Sequence, residues 1–158
     1  MNLRSGALWT GIGLLVCVLW LFHPMLAESA GIVLGDPRND AIRGAWGFDH
    51  LGTSVLAGKS PWSTDRLNFP AGVQLMVLPL ASGLMLMPLS VLEPMTAWNI
   101  SVMLLVFCSA LSLAWLTQVL SGNWAAGFLS GVMLLSQPMI HHAIADGTAE
   151  HIALWGIP

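Results

Sequence analysis

Charged side chains are scarce in this chain. Lys, Arg, Asp and Glu make up 8% of its 158 residues, whereas 56% are hydrophobic and the mean hydropathy is +0.75. No formal charge occurs between Arg4 and Glu28, between Arg66 and Glu93, or between Glu93 and Asp146. Each interval can hold a helix of the roughly 20 apolar residues needed to cross a bilayer. A water-soluble protein could not cover its surface with so few charges, so the composition predicts an integral membrane protein.

The sequence also has no basic stripe and no cysteine framework. Its formal net charge is −3, which argues against a nucleic-acid partner. Cys17 and Cys108 both lie in apolar segments, so a structural disulfide has no support. Nine of the thirteen charged residues lie between Glu28 and Arg66. We therefore expect a membrane protein with one concentrated polar loop, residues 28–70.

Hydropathy predicts an all-α fold, a polytopic transmembrane helical bundle. The candidate spans are residues 7–26, 73–92, 96–120 and 124–140. The first favours an uncleaved signal anchor over a cleaved signal peptide, because it exceeds the roughly 7–15 apolar residues of a signal. The second contains Pro79 and Pro88, so a kinked span and a re-entrant or interfacial pair of short helices are both open.

The polar loop has its own predicted structure. The Asp-Pro and Asn-Asp pairs within residues 35–40 indicate a turn. Residues 41–57 have a helical pattern and predict a short helix at the membrane surface. A second polar cluster follows Pro138, and the chain then stops in apolar sequence at Pro158. We expect the 158 residues to be a single N-terminal part of a longer multi-span domain.

Several short motifs occur in a fixed order along the chain. They are Gly35-Asp36-Pro37-Arg38-Asn39-Asp40, Trp46, His50, Asn68-Phe69-Pro70-Ala71-Gly72, Pro88-Leu89, Ala97-Trp98-Asn99, Gly131 and Gln137-Pro138. This order resembles the N-terminal part of bacterial GT-C-type membrane glycosyltransferases. The group depends on polyprenyl-phosphate sugars and includes mannosyltransferase-like and aminoarabinose-transferase-like proteins. The resemblance implies a multi-pass protein of the bacterial inner membrane, with a polyprenyl-phosphate-linked sugar and membrane lipids as partners.

The resemblance also assigns roles to residues of the loop. It places the catalytic carboxylate, which acts on the acceptor hydroxyl, at Asp36 or Asp40. Independently of any family, glycosyl transfer needs a carboxylate to take a proton and cations to hold the leaving phosphate. The loop provides Arg38, Arg43, Lys59 and Arg66 as candidate phosphate contacts, of which Arg38 and Arg43 are preferred. His50 is a further candidate substrate contact, predicted as an interfacial hydrogen-bonding residue rather than an acid or base.

The second polar cluster contributes one further candidate. The resemblance places an acidic residue after a glycine here, as in Gly147-Thr148-Ala149-Glu150, so Glu150 is a candidate for the same cavity. His142, Asp146 and Glu150 are four residues apart, but Gly147 interrupts the helix that would align them, and we assign no metal site. The loop has no Asp-x-Asp or Asp-Glu pair. No cofactor is firmly implied, and dependence on a divalent metal is left open.

Two alternatives concern membrane topology. If residues 73–92 cross the membrane, the two polar clusters lie on opposite sides; if they do not, the clusters share one face and can form one site. The positive-inside rule would place the basic loop in the cytoplasm, whereas the resemblance places it outside, and we follow the resemblance.

The alternative function is a non-enzymatic transporter or assembly subunit. A transporter should show an internal repeat of this half of the protein.

Overall fold

The structure, a computed structural model, describes residues 3–27, 32–38, 40–75, 87–148 and 152. These residues are mostly helical, which confirms the predicted helical class. The helices are α1 (Leu3–Leu21), α2 (His23–Ala27), α3 (Ala41–Leu56), α4 (Pro94–Ser121), α5 (Trp124–Leu135) and α6 (Pro138–Asp146). The two-residue strands β1 (Ser63–Thr64) and β2 (Val73–Gln74) pair antiparallel, and a 3₁₀ helix spans Met87–Val91.

Helices α1, α4 and α5 pack together through small residues. A Cβ atom at Gly127 would lie 2.5 Å from the carbonyl oxygen of Ala114, and one at Gly131 would lie 3.0 Å from that of Ala110. Leu14 of α1 contacts Gly131 from the other side. The small residues of α5 therefore let the helix backbones approach closely.

Large apolar side chains also cover the outside of these helices. Trp20 at the end of α1 is 75% exposed and Leu120 at the end of α4 is 79% exposed. Others are exposed on the same three helices: Trp9, Val16, Trp115, Leu129 and Met133. Exposed apolar surface of this kind is typical of a face that contacts lipid or another protein.

Among the residues that the structure describes, α4 alone is long and apolar enough to cross a membrane. Its 28 residues extend about 42 Å at about 1.5 Å per residue. Glu93 caps its first turn, where its carboxylate accepts hydrogen bonds from the N–H groups of Met95 (3.1 Å) and Thr96 (3.0 Å). These bonds lower the pKa of Glu93, and the bond from the Thr96 N–H has the larger effect.

The other apolar segments differ from the predicted spans. Residues 7–26 form two helices, α1 and α2, rather than one. Helix α5 ends at Leu135, although the predicted span continued to residue 140. The reason is Pro138, which has no N–H to donate and forces Gln137 into an extended conformation (φ −68°, ψ 132°). The chain then begins a new helix, α6, at Pro138.

Only the ends of segment 73–92 belong to the described residues. At one end β2 pairs with β1, which follows α3 in the polar loop. At the other end the 3₁₀ helix packs against α3 and α4. Both described ends therefore contact the polar loop or the helix within it.

The start of the polar loop is fixed to α4 by two side chains. The Leu34 N–H donates to Asn99 Oδ1 (2.7 Å), and Asn99 Nδ2 donates to the Ile32 carbonyl (2.7 Å). Trp98 Nε1 donates to the Leu34 carbonyl (3.2 Å). Asn99 is only 2% exposed, so these bonds are made largely away from solvent. They determine where the turn that carries Asp36 begins.

Candidate active site at the junction of the first loop and α6

The turn after Leu34 docks onto the C-terminal end of α6. The Asp36 N–H donates to the Ala145 carbonyl (2.6 Å), and the Asp40 N–H donates to the Asp146 carbonyl (3.0 Å). The last carbonyl groups of a helix have no hydrogen-bond donor within the helix. The N–H groups of Asp36 and Asp40 supply donors to two of these carbonyls in α6. The first loop and the C-terminal end of α6, where the second polar cluster begins, are thus in direct contact.

Two glycines make this close approach feasible. Gly35 (φ +109°) and Gly147 (φ +76°) both adopt backbone conformations that residues with a Cβ rarely adopt. A Cβ at Gly35 would lie 2.9 Å from the Ile144 carbonyl oxygen, and a Cβ at Gly147 would overlap the backbone of Ala41. The two segments therefore meet at Ala41, the first residue of α3.

Asp36 forms a local ion pair with Arg38. Its Oδ1 accepts from the Arg38 N–H (2.9 Å) and Nε (3.2 Å), and its Oδ2 accepts from Arg38 Nη2 (3.2 Å). The side-chain bonds from Arg38, followed by the backbone bond, hold the pKa of Asp36 below its ordinary value. Asp36 therefore stays ionised at neutral pH, and its side chain is 34% exposed.

The cation of this pair is open to solvent. The Arg38 side chain is 89% exposed, and the hydrogen bonds to Asp36 raise the pKa of its guanidinium. A planar guanidinium with N–H donors directed outward can bind a phosphate in two-pronged geometry. A phosphate can therefore reach Arg38 from solvent without unfolding the turn.

Asp40 and Arg43 form a second pair at the start of α3. Asp40 Oδ1 lies 2.9 Å from Arg43 Nη1, and the Arg43 side chain is 83% exposed. Asp40 precedes the first residue of α3, but its side chain does not cap the helix. Two carboxylates and two exposed guanidinium groups thus lie within one short stretch of chain.

Helix α6 adds a histidine–carboxylate pair to this end of the molecule. His142 Nδ1 lies 3.1 Å from Asp146 Oδ2, one helical turn away. The four-residue spacing of His142 and Asp146 is visible in the sequence. The backbone contact between Asp146 and Asp40 is not, because residues so far apart in the chain give no local signal of it. Among the described residues, no group of three or more His, Cys, Asp or Glu side chains is arranged to hold a metal ion.

Two predicted contacts do not join this group in the structure. His50 lies in the second half of α3, stacked on Trp46 with ring centroids 5.1 Å apart, and its Nε2 is 3.2 Å from the Pro61 carbonyl. Ten residues of chain, nearly all helical, separate it from Asp40, about 15 Å at about 1.5 Å per residue. Glu150 lies outside the described residues.

The role of Asn99 in fixing the start of the polar loop to α4 was not predicted from the sequence. Asn99 and Trp98 were quoted only as part of a motif, yet they hold the loop in place. A signal was present, because an asparagine in an apolar helix needs partners for both its donor and its acceptor groups.

A testable consequence concerns the glycine contact between the loop and α6. Gly147→Ala should destabilise the folded protein, because the new Cβ adds a clash with Ala41 to the cost of a positive φ. Gly58→Ala is the matched control: Gly58 also has a positive φ (+66°) but has open space around its Cβ position. Thermal unfolding in detergent should show a larger loss of stability for Gly147→Ala. Equal losses would contradict tight docking.

Comparison with known proteins gave no match among family models, curated proteins or solved structures.

Proposed function

We propose that this chain is part of a polytopic GT-C-type glycosyltransferase of the bacterial inner membrane. It transfers a sugar from a polyprenyl-phosphate-linked donor to an acceptor hydroxyl at the outer face. The observation that carries the proposal is the Asp36–Arg38 pair, an ionised carboxylate beside an exposed guanidinium. The pair is held at the end of an apolar helical bundle by backbone bonds to α6.

The proposed chemistry divides the work between the two side chains of this pair. Asp36 accepts the proton of the acceptor hydroxyl while that oxygen forms a bond to the anomeric carbon of the sugar. The bond from the anomeric carbon to the phosphate oxygen breaks, and polyprenyl phosphate leaves with the electron pair. Arg38 stabilises the negative charge on the leaving phosphate.

Arg38 also links donor binding to the strength of the base. While Arg38 is paired with Asp36, it lowers the pKa of the carboxylate and so weakens it as a proton acceptor. When the guanidinium turns to the donor phosphate, those hydrogen bonds are lost and the basicity of Asp36 rises. Asp40 and Arg43 are the neighbouring pair, with Asp40 as a helper carboxylate and Arg43 as a second phosphate contact.

The membrane location is supported by the helices behind the pair. The length of α4 and the apolar outer faces of α1, α4 and α5 favour a bundle surrounded by lipid. A lipid-phosphate donor has its reactive group at the boundary between hydrocarbon and water. Charged side chains at the end of such a bundle are well placed to meet it.

The direct test is a transfer assay with the full-length protein in proteoliposomes. Polyprenyl-phosphate hexoses, labelled in the sugar, are supplied with cell-envelope lipids as acceptors. Transfer of label from at least one donor, with release of polyprenyl phosphate, is the expected result. If neither these hexose donors nor the corresponding pentose donors are consumed by well-folded protein, the non-enzymatic alternative is favoured.

The proposed orientation makes a separate prediction. A reporter fused after Thr64 should be active if it requires export, as alkaline phosphatase does, because the proposal places the polar loop outside. A reporter active only in the cytoplasm should be silent at the same position. The opposite pattern would restore the positive-inside orientation of this loop.

Replacement of Arg38 by glutamine should separate its two roles. The KM for the donor should rise by about tenfold, the value of one charge-assisted hydrogen bond to phosphate. The pKa of Asp36 should also rise towards 3.8, because the guanidinium that lowers it is absent. The acid limb of the pH profile of kcat/KM, which reports the free enzyme, should therefore move to higher pH. An unchanged KM together with an unchanged acid limb would exclude both roles of Arg38.

A further inference from the structure

A second polar region lies at the opposite end of α3 from Asp36. It is a pocket of about 660 Å³ between the last turns of α3, the segment after it and the β1–β2 hairpin. Polar side chains that line it include His50, Lys59, Ser60, Thr64, Asp65 and Arg66. Lys59 and Arg66 were candidate phosphate contacts and His50 a candidate substrate contact in the sequence, but the proposed transfer chemistry at Asp36 uses none of them.

Hydrogen-bond donors predominate in this pocket. Lys59 forms no ion pair within the described part of the chain. Ser60 Oγ and Thr64 Oγ1 each accept a bond from a backbone N–H, at 3.3 Å and 3.1 Å respectively. A hydroxyl that accepts through its lone pair still has its own hydrogen to donate. The ammonium and both hydroxyls therefore have donors to offer an oxygen-rich ligand.

The remaining charged side chains define the kind of ligand. Arg66 is only loosely held, with Nη1 3.8 Å from Asp49 Oδ2 and 59% of its side chain exposed, so its donors are available as well. With Lys59 it provides two positive charges to the lining, and Asp65 provides one carboxylate, while Asp49, which is not a lining residue, faces Arg66. An anion fits the two cations, and the carboxylate can accept a hydrogen bond from a hydroxyl.

We infer that this pocket binds a phosphorylated sugar or a similar hydroxyl-bearing phosphate headgroup. Lys59 and Arg66 contact the phosphate, while Asp65 and the Ser60 and Thr64 hydroxyls contact the ligand hydroxyls. The site is separate from Asp36, because α3 places most of its length between them. The inference therefore holds whether or not Asp36 is catalytic.

The test measures binding to the full-length protein in phosphatidylcholine nanodiscs. Glucose 6-phosphate, glucose and inorganic phosphate are titrated and followed by calorimetry. Glucose 6-phosphate should bind at least about tenfold more tightly than either fragment alone, because it uses both sets of contacts. In a parallel arm, nanodiscs containing phosphatidylinositol should block the site if the natural ligand is a lipid headgroup. Unimpeded binding there indicates a free sugar phosphate.

Matched variants locate the binding to this pocket. Lys59→Gln should weaken glucose 6-phosphate binding by about tenfold, and Lys59→Gln with Arg66→Gln should abolish it. Glu93→Gln removes a charge outside the pocket and should leave the affinity unchanged. Asp36→Asn should also leave it unchanged, which separates this site from the transfer chemistry. The inference fails if Lys59→Gln binds as the wild type does, or if glucose or inorganic phosphate binds equally well.

Discussion

Replacement of Asp36 by asparagine in the full-length protein should abolish sugar transfer and leave membrane insertion intact. Asparagine has nearly the same shape and keeps an oxygen that can accept the Arg38 N–H bond, so the turn should survive. It has no ionised carboxylate to take a proton from the acceptor. Loss of a general base typically lowers the rate by about 10²–10⁴-fold.

The measurement is initial rate in the proteoliposome assay, with insertion checked by membrane fractionation and thermal unfolding. Glu93→Gln is the matched control, because Glu93 is also a carboxylate whose pKa hydrogen bonds hold low, and it serves only as the cap of α4. That variant should keep its transfer activity. Activity retained by the Asp36→Asn protein would exclude Asp36 as the base.

Replacement of Asn99 by leucine should release the start of the polar loop from α4. The change leaves the Leu34 N–H and the Ile32 carbonyl without their partners at 2.7 Å. Both bonds are partly buried, so each lost bond costs about 1 kcal/mol and the variant should be measurably less stable than the wild type. Transfer activity should fall with it, since this anchor determines the position of Asp36.

Asn99→Asp provides a graded comparison for the same contact. The aspartate keeps an acceptor for the Leu34 N–H, but when ionised it has no donor for the Ile32 carbonyl and places a charge at a site that is 2% exposed. It should therefore be less stable than the wild type at neutral pH and regain part of the loss in acid, where the protonated carboxyl is neutral and can donate. Hydrogen exchange at the Leu34 amide measures the release directly. Wild-type protection of that amide in Asn99→Leu would show that the anchor lies elsewhere.

Local sequence signals predicted the local parts of this fold. The turn residues before Asp40 and the helical pattern from residue 41 to 57 correspond to the observed turn and to α3. The apolar run from residue 96 to 120 corresponds to α4 for the same reason. Both features depend on interactions between residues a few positions apart, which are visible in the sequence itself.

The docking of the loop on α6 could not be predicted in this way. Its two bonds join backbone atoms, so side-chain identity at Asp36 and Asp40 carries no trace of them. The one visible trace is the pair Gly35 and Gly147, and each glycine alone is equally typical of an ordinary turn.

The end of α5 was missed for a different reason. Average hydropathy stays high through residue 140 and is insensitive to a single proline.

The same backbone bonds have a consequence for the biogenesis of the protein. They join residues more than a hundred positions apart, so the loop leaves the ribosome well before the segment that completes it. Until residues 145 and 146 have been synthesised, the turn around Asp36 lacks both of its acceptors on α6. Contacts of such long range also form slowly. Assembly of the site therefore has to wait until α4, α5 and α6, which follow the loop in the chain, have been synthesised.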